Sequence, residues 1–189
     1  MEDTGVHFRN GVDLGRLTGT VDAVKSDPSL ARFAFRAKNR WIDGARSRTE
    51  IRGFFGTGKE HVRSDLFLLE GDEPPVLLGR DAGANAVEAL LHALASCLVV
   101  GFVYHASARG ILIEELALDL EGTLDLHGFL GLSENVRPGY DAVKVNLRVK
   151  SPASDEDLRE LWKLSQRISP VQDMIRNPVP VALELERTF

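Results

Sequence analysis

"ALLHALASCLVVGFVYHASARG", residues 89–110, decides the fold of this 189-residue chain. It is apolar on nearly every side and carries the only cysteine, Cys97. Just upstream, Asn85 is followed three residues later by Glu88, a capping box in which each side chain satisfies the other's backbone N–H. Downstream, Arg109 puts a cation in the last turn and Gly110 stands where a helix favours a C′ glycine. The pattern predicts one helix over about 86–109. A helix apolar all round must be buried on most sides, at the centre of a domain or at a subunit interface. His92, Ser96, Tyr104, His105 and Arg109 interrupt it, which argues against a membrane span.

Outward from that helix the periods change. "RFAFRAKN" at 32–39 alternates as a strand does. "WIDGARSRTEIRGFFG" reads as a hairpin turned at Asp43 and Gly44, and "VRSDLFLLE" at 62–70 as a further strand. "GDEPPVLLGRDAG" is a loop, because its prolines and glycines stop any helix. Beyond the helix, residues 111–126 are strand-like, and "DAVKVNLRVKSP" sets Val143, Val145, Leu147 and Val149 on one face. Ser154 opens an amphipathic helix with Leu158, Leu161, Trp162 and Ile168 on its apolar side. Ser169 and Pro170 start a short helix, Asn177 and Pro178 break it, and a closing strand is expected after them. Strands, helix, strands, two helices and a strand make an α+β fold, not a doubly wound one. Residues 1–30 read as an N-terminal arm or an N-terminal strand with loop, and residues 31–189 as a single domain.

Composition narrows the class. With 43% hydrophobic residues the chain can fill a core unaided, and one cysteine can form no intramolecular disulfide. No paired-cysteine spacing of structural zinc occurs, and no metal or cofactor is expected. His92 and His105 stand five before and eight after Cys97, poor spacings for a shared ion. Net charge is −5 with Lys and Arg scattered, so no nucleic-acid partner is indicated. The polar N-terminal stretch does not read as a signal peptide, and a reducing cytoplasm is the expected compartment.

"GANAVEALLHALASCLVVGFVYHASARGI" resembles the central cysteine helix of the OsmC/Ohr family, the osmotically inducible and organic-hydroperoxide-resistance proteins, and "SPVQDMIRNPVPV" resembles that family's second signature. The resemblance implies antiparallel sheets packed around a long central helix in an intertwined homodimer. In the peroxidase branch it implies a cysteine that attacks an organic hydroperoxide, a second cysteine that resolves the sulfenic acid, and an arginine and a glutamate that assist.

Carried over residue by residue, Cys97 matches the peroxidatic cysteine; its structural alternative is a small buried hydrophobe. Ser169 occupies the second cysteine's place, so turnover would need an external thiol or dithiol. The glutamate's place, ten before Cys97, is Val87. Glu88 lies one step off and about 180° around a continuous helix, which favours capping over catalysis. For the arginine the hairpin offers Arg40, Arg46 and Arg48, with Arg46 first because the turn fixes it near the hairpin end. Tyr104, seven after Cys97, stands close to the same face and can line a substrate pocket with Ser169, its alternative being an amphipathic core tyrosine. Trp41, Phe54, Phe55 and Phe102 can form an apolar pocket or plain core. Two readings follow: a single-cysteine thiol peroxidase for organic hydroperoxides, or an OsmC-fold protein without that activity whose dimer-interface pocket binds a small apolar or thiol-reactive molecule.

Overall fold

The computed structural model describes residues 8–188. Along the chain run β1 (Phe8–Arg9), β2 (Val12–Asp13), α1 (Leu14–Ser26), β3 (Ala34–Phe35), β4 (Lys38–Asp43), β5 (Arg46–Gly56), β6 (Lys59–Gly71), α2 (Ala86–Ala108), β7 (Glu115–Thr123), α3 (Leu126–Phe129), β8 (Ala142–Lys150), α4 (Asp155–Ile168) and α5 (Pro170–Arg176). The fold is α+β with antiparallel sheets, as the sequence predicts. The chain forms two compact units, Met1–His92 with Glu121–Lys144, and Ala93–Leu120 with Val145–Phe189.

In the first unit β5 is the central strand, paired antiparallel with β3 and β4 along one edge and with β6 along the other. The Asp43–Gly44 turn forms as expected, with Gly44 at φ +51°. The strand expected over 32–39 is instead split between β3 and β4, each pairing a different stretch of β5. After β6, Asp72 is 3% exposed and ties down the proline-rich loop. Its carboxylate accepts the backbone N–H groups of Glu73, Arg80 and Ala82 at 2.9, 3.0 and 3.1 Å. The N-terminal arm departs from expectation: a β1–β2 hairpin leads into the thirteen-residue helix α1. Gly15, Gly19 and the β-branched Thr18, Thr20 and Val21 hide that helix from propensity, while Asp13 starts it by accepting the Arg16 N–H at 2.9 Å. The part of the arm at residues 1–7 lies outside the described residues.

In the second unit α2 buries Leu94, Leu98, Phe102 and Ala106, four residues apart, along one stripe. Phe102, Ala106 and Leu161 form the innermost cluster, covered by Ile111, Ile113, Leu116, Leu147, Val149, Leu158 and Trp162. Full burial of one such side chain is worth about 1.5–3 kcal/mol. Gly101 lets α4 approach α2: a Cβ built there would lie 3.6 Å from the Ser165 Cβ. Gly110, at φ +72°, turns the chain out of α2, and the Ile111 N–H donates to the Ala106 carbonyl at 2.9 Å. β7 and β8 pair antiparallel, the Glu114 N–H donating to the Lys150 carbonyl at 2.8 Å, and both alternate half-buried and exposed side chains. α4 opens at Ser154, whose hydroxyl accepts the Asp157 N–H.

The closing strand does not form. Past α5 the chain joins no sheet among the described residues. Pro178 and Pro180 remove two ladder donors, and the alternating apolar residues point into open space, Leu183 89% and Leu185 97% exposed. By length and composition α2 could also cross a bilayer, a test that the core helix of a globular fold passes equally.

Candidate active site

Two helices of the second unit bring the site together. Cys97 is half-buried in the middle of α2. α5 starts at Ser169 for the reason read in the sequence: serine at the cap, proline at the first helical position. The cap geometry fixes the serine hydroxyl, which accepts the Gln172 N–H at 3.2 Å and donates to Cys97 Sγ at 3.1 Å. Ser169 is 2% exposed, so the hydroxyl side of this contact is shielded from competing water. A thiol or thiolate held by one directed hydroxyl can act as a nucleophile, and serine cannot go on to form a disulfide.

Tyr104, two turns on from Cys97, is 47% exposed and available to solvent-borne molecules. His105, beside it, has its pKa lowered from the usual imidazole value by burial first and by the Arg109 charge second.

Glu88 sits in the capping box the sequence predicts. Its carboxylate accepts the Asn85 N–H at 2.9 Å, and the Asn85 side chain accepts the Glu88 N–H at 2.8 Å. α2 is helical without a break from Ala86 through Ala108, so the non-helical entry that could turn Glu88 toward Cys97 does not occur. Tyr140 has its pKa raised, by burial first and then by the Glu88 charge.

Arg46 is placed at the hairpin end as expected, within a polar cluster the sequence did not announce. Its guanidinium lies 3.7 Å from Asp43, which also pairs with Arg80 at 3.1 Å. Arg48 instead bonds Glu70 at 2.5 Å. Arg46 Nε is buried without a hydrogen-bond partner, which leaves one donor unspent. Asp72 joins this cluster. Burial pushes its pKa up, and the N–H groups of Ala82, Glu73 and Arg80 together with the Arg46 charge outweigh that and hold it below the usual carboxylate value. The only hint of Asp72 in the sequence is an acid placed between a strand and a Pro–Pro loop. Among the aromatic candidates, Phe102 is core and Trp41 is exposed, its Nε1–H donating to the Gly44 carbonyl at 2.9 Å. Phe54 stacks with Phe35 and His61 on the sheet of the first unit. Among the described residues no group of three His, Cys, Asp or Glu side chains is placed to hold a metal.

The family model described as OsmC-like protein matches residues 79–184, more than half of the chain and spanning both Cys97 and Ser169. The chain belongs to the OsmC-like family. Solved structures agree on its fold. An OsmC-like protein from Mycoplasma pneumoniae superposes with a TM-score of 0.60 at 15% identity, covering 77% of this chain and 89% of its own. An OsmC-like protein of unknown function from Vibrio cholerae gives 0.55 at 14% identity, covering 74% and 92%. An organic hydroperoxide resistance protein OsmC from Legionella pneumophila gives 0.54 at 16%, covering 76% and 90%. No curated protein sequence matches significantly. The family includes hydroperoxide-resistance proteins, and in this OsmC-like chain the side chain that meets Cys97 is that of Ser169.

Proposed function

We propose that this OsmC-like chain is a single-cysteine thiol peroxidase for organic hydroperoxides. One observation carries the reading: the family's two signature segments meet at the 3.1 Å contact between Ser169 Oγ and Cys97 Sγ. The Cys97 thiolate attacks the peroxide oxygen distal to the organic group. The O–O bond breaks, the alkoxide leaves and is protonated to the alcohol, and Cys97 becomes a sulfenic acid. An external thiol condenses with that acid, releasing water and forming a mixed disulfide. A second thiol, or the second arm of a dithiol, then frees Cys97 and leaves as the oxidised reductant. The resemblance to the peroxidase branch, and not a contact within the chain, assigns Arg46 as the cation for the thiolate and peroxide. Glu88 is assigned to the helix cap.

The reading includes a homodimer in a reducing cytoplasm. Leu90, Val100 and Tyr104 on α2 and the terminal Val181, Leu183 and Leu185 are exposed, apolar surface that a second copy of the chain would cover.

A second reading keeps the fold and drops the chemistry, the site binding a small apolar or thiol-reactive molecule. It is favoured by the engagement of the Glu88 carboxylate in the cap and by the Arg46–Asp43 pairing.

The rate of Cys97 sulfenic acid formation with cumene hydroperoxide and with hydrogen peroxide, followed by trapping and mass spectrometry, separates the two. The peroxidase reading expects fast, organic-selective oxidation reversed by dithiol. Arg46→Ala should slow it by roughly a hundredfold, the scale of losing one transition-state charge contact. Glu88→Gln, which keeps the cap, should leave it unchanged. Oxidation no faster than that of an ordinary shielded thiol would retire the peroxidase in favour of the binding protein.

A further inference from the structure

Between α4 and α5, and wholly within the second unit, lies a cleft of about 510 Å³. Lys163 and Arg167 reach it from α4 and Arg176 from α5, with Gln172 and Asn177 beside them. A smaller hollow of about 320 Å³, also lined by Lys163 and Arg167, adjoins it on the Arg109 side.

These three cations are set apart by what they lack. Elsewhere in the unit Arg109 pairs with Glu160 at 3.6 Å, Arg148 with Asp119, Lys150 with Glu114 at 3.1 Å, and Arg159 with Asp155 at 3.1 Å. Lys163, Arg167 and Arg176 have no ion pair among the described residues, in a chain whose net charge is −5. The one carboxylate of the lining, Asp173, accepts the Asn177 side-chain amide at 2.8 Å. Complementing a helix C-terminus explains a cation in the last turn of α4 and of α5. It does not explain Lys163, more than a turn earlier, nor the gathering of three like charges around one hollow, where they repel each other.

We propose that this cleft binds a multiply phosphorylated small molecule. Phosphate oxygens supply the negative charge the three cations lack, and two guanidinium forks are suited to grip them in bidentate fashion. The volume exceeds the need of a single phosphate and falls in the range of small-molecule sites, roughly 300–1,000 Å³. No aromatic side chain lines the cleft, so a nucleobase would find no stacking partner there, and the Asp173 carboxylate of the lining suits a hydroxyl-bearing carbon skeleton. The site goes beyond the peroxidase reading and does not depend on Cys97.

Calorimetric titration of the full chain with inorganic pyrophosphate, fructose bisphosphate and sulfate tests it. Saturable uptake of either phosphorylated probe at one site per chain, tighter than sulfate, is expected, and the two probes together show whether phosphates alone or their spacing is recognised. Arg167→Gln and Arg176→Gln should each weaken binding by roughly tenfold, the worth of a charge-assisted pair, while Arg159→Gln on the same helix changes it by less than about twofold. Circular dichroism of each variant confirms that α4 and α5 persist. No saturable uptake of either probe, or equal weakening by Arg159→Gln, would overturn the proposal.

Discussion

At the scale of single residues, the Cys97–Ser169 contact makes a direct demand. A disulfide needs its sulfurs about 2 Å apart, and Ser169 Oγ, at the cap of α5, stands 3.1 Å from Cys97 Sγ, so a sulfur in its place needs an approach of about 1 Å. Ser169→Cys should therefore form an intrachain disulfide with Cys97 on mild oxidation, detected by peptide mapping without reductant. A chain that yields only intermolecular disulfides would show that the first turn of α5 cannot make that approach. Asp72 makes a different demand. Its folded-state pKa lies below its ordinary value, so the stability it confers is complete above the ordinary carboxylate value of about 4 and is lost as pH falls through the depressed one. Asp72→Asn should be less stable than the parent near neutrality, and the gap should narrow in urea unfolding on going from about pH 7 to about pH 3. A gap that stays constant would mean that the carboxylate charge contributes nothing to holding the loop.

Elements tell how α2 and α4 come together. Gly101 has room for a methyl group in ordinary contact with Ser165 and no room for a branched side chain. Gly101→Ala should then be neutral or stabilising by up to about 1 kcal/mol, the helix-propensity gain, whereas Gly101→Val should cost about 1–3 kcal/mol by overpacking. Thermal unfolding of both variants reads the difference, and a destabilised alanine variant would mean that the helices tolerate no separation at all. α2, α4 and α5 were legible in the sequence because each carries its own punctuation: Asn85 with Glu88, Ser154 with an acidic first turn, Ser169 with Pro170. The strands of the hairpin were legible for the same local reason, the Asp43–Gly44 turn. α1 was not, since its glycines and β-branched residues speak against a helix that a single cap nevertheless starts. α3, four residues long, leaves no period to read. The closing strand shows the opposite failure: Val179, Val181, Leu183 and Leu185 alternate as a strand should, but alternation records only what the segment could bury and supplies no neighbour to pair with. The candidate site was half legible. Cys97 and Ser169 could be placed by motif, whereas the Arg80 and Asp72 surroundings of Arg46 depend on contacts between segments far apart in sequence.

For the whole molecule, the apolar surface left on α2 and on the terminal segment bears on assembly. Light scattering at micromolar concentration should give twice the chain mass, and replacing Leu183 and Leu185 together by Ser should shift that mass toward the single chain if the terminal segment is part of the interface. A parent chain of single mass would remove the dimer from the functional reading. The chemistry of the molecule is concentrated in one sulfur, which has a further use. Because Cys97 is the sole thiol, any sulfhydryl-directed tag lands at one address. A fluorinated label there would abut the seat of α5, and its resonance would report whether that short helix is docked or released, free of signal from any second site.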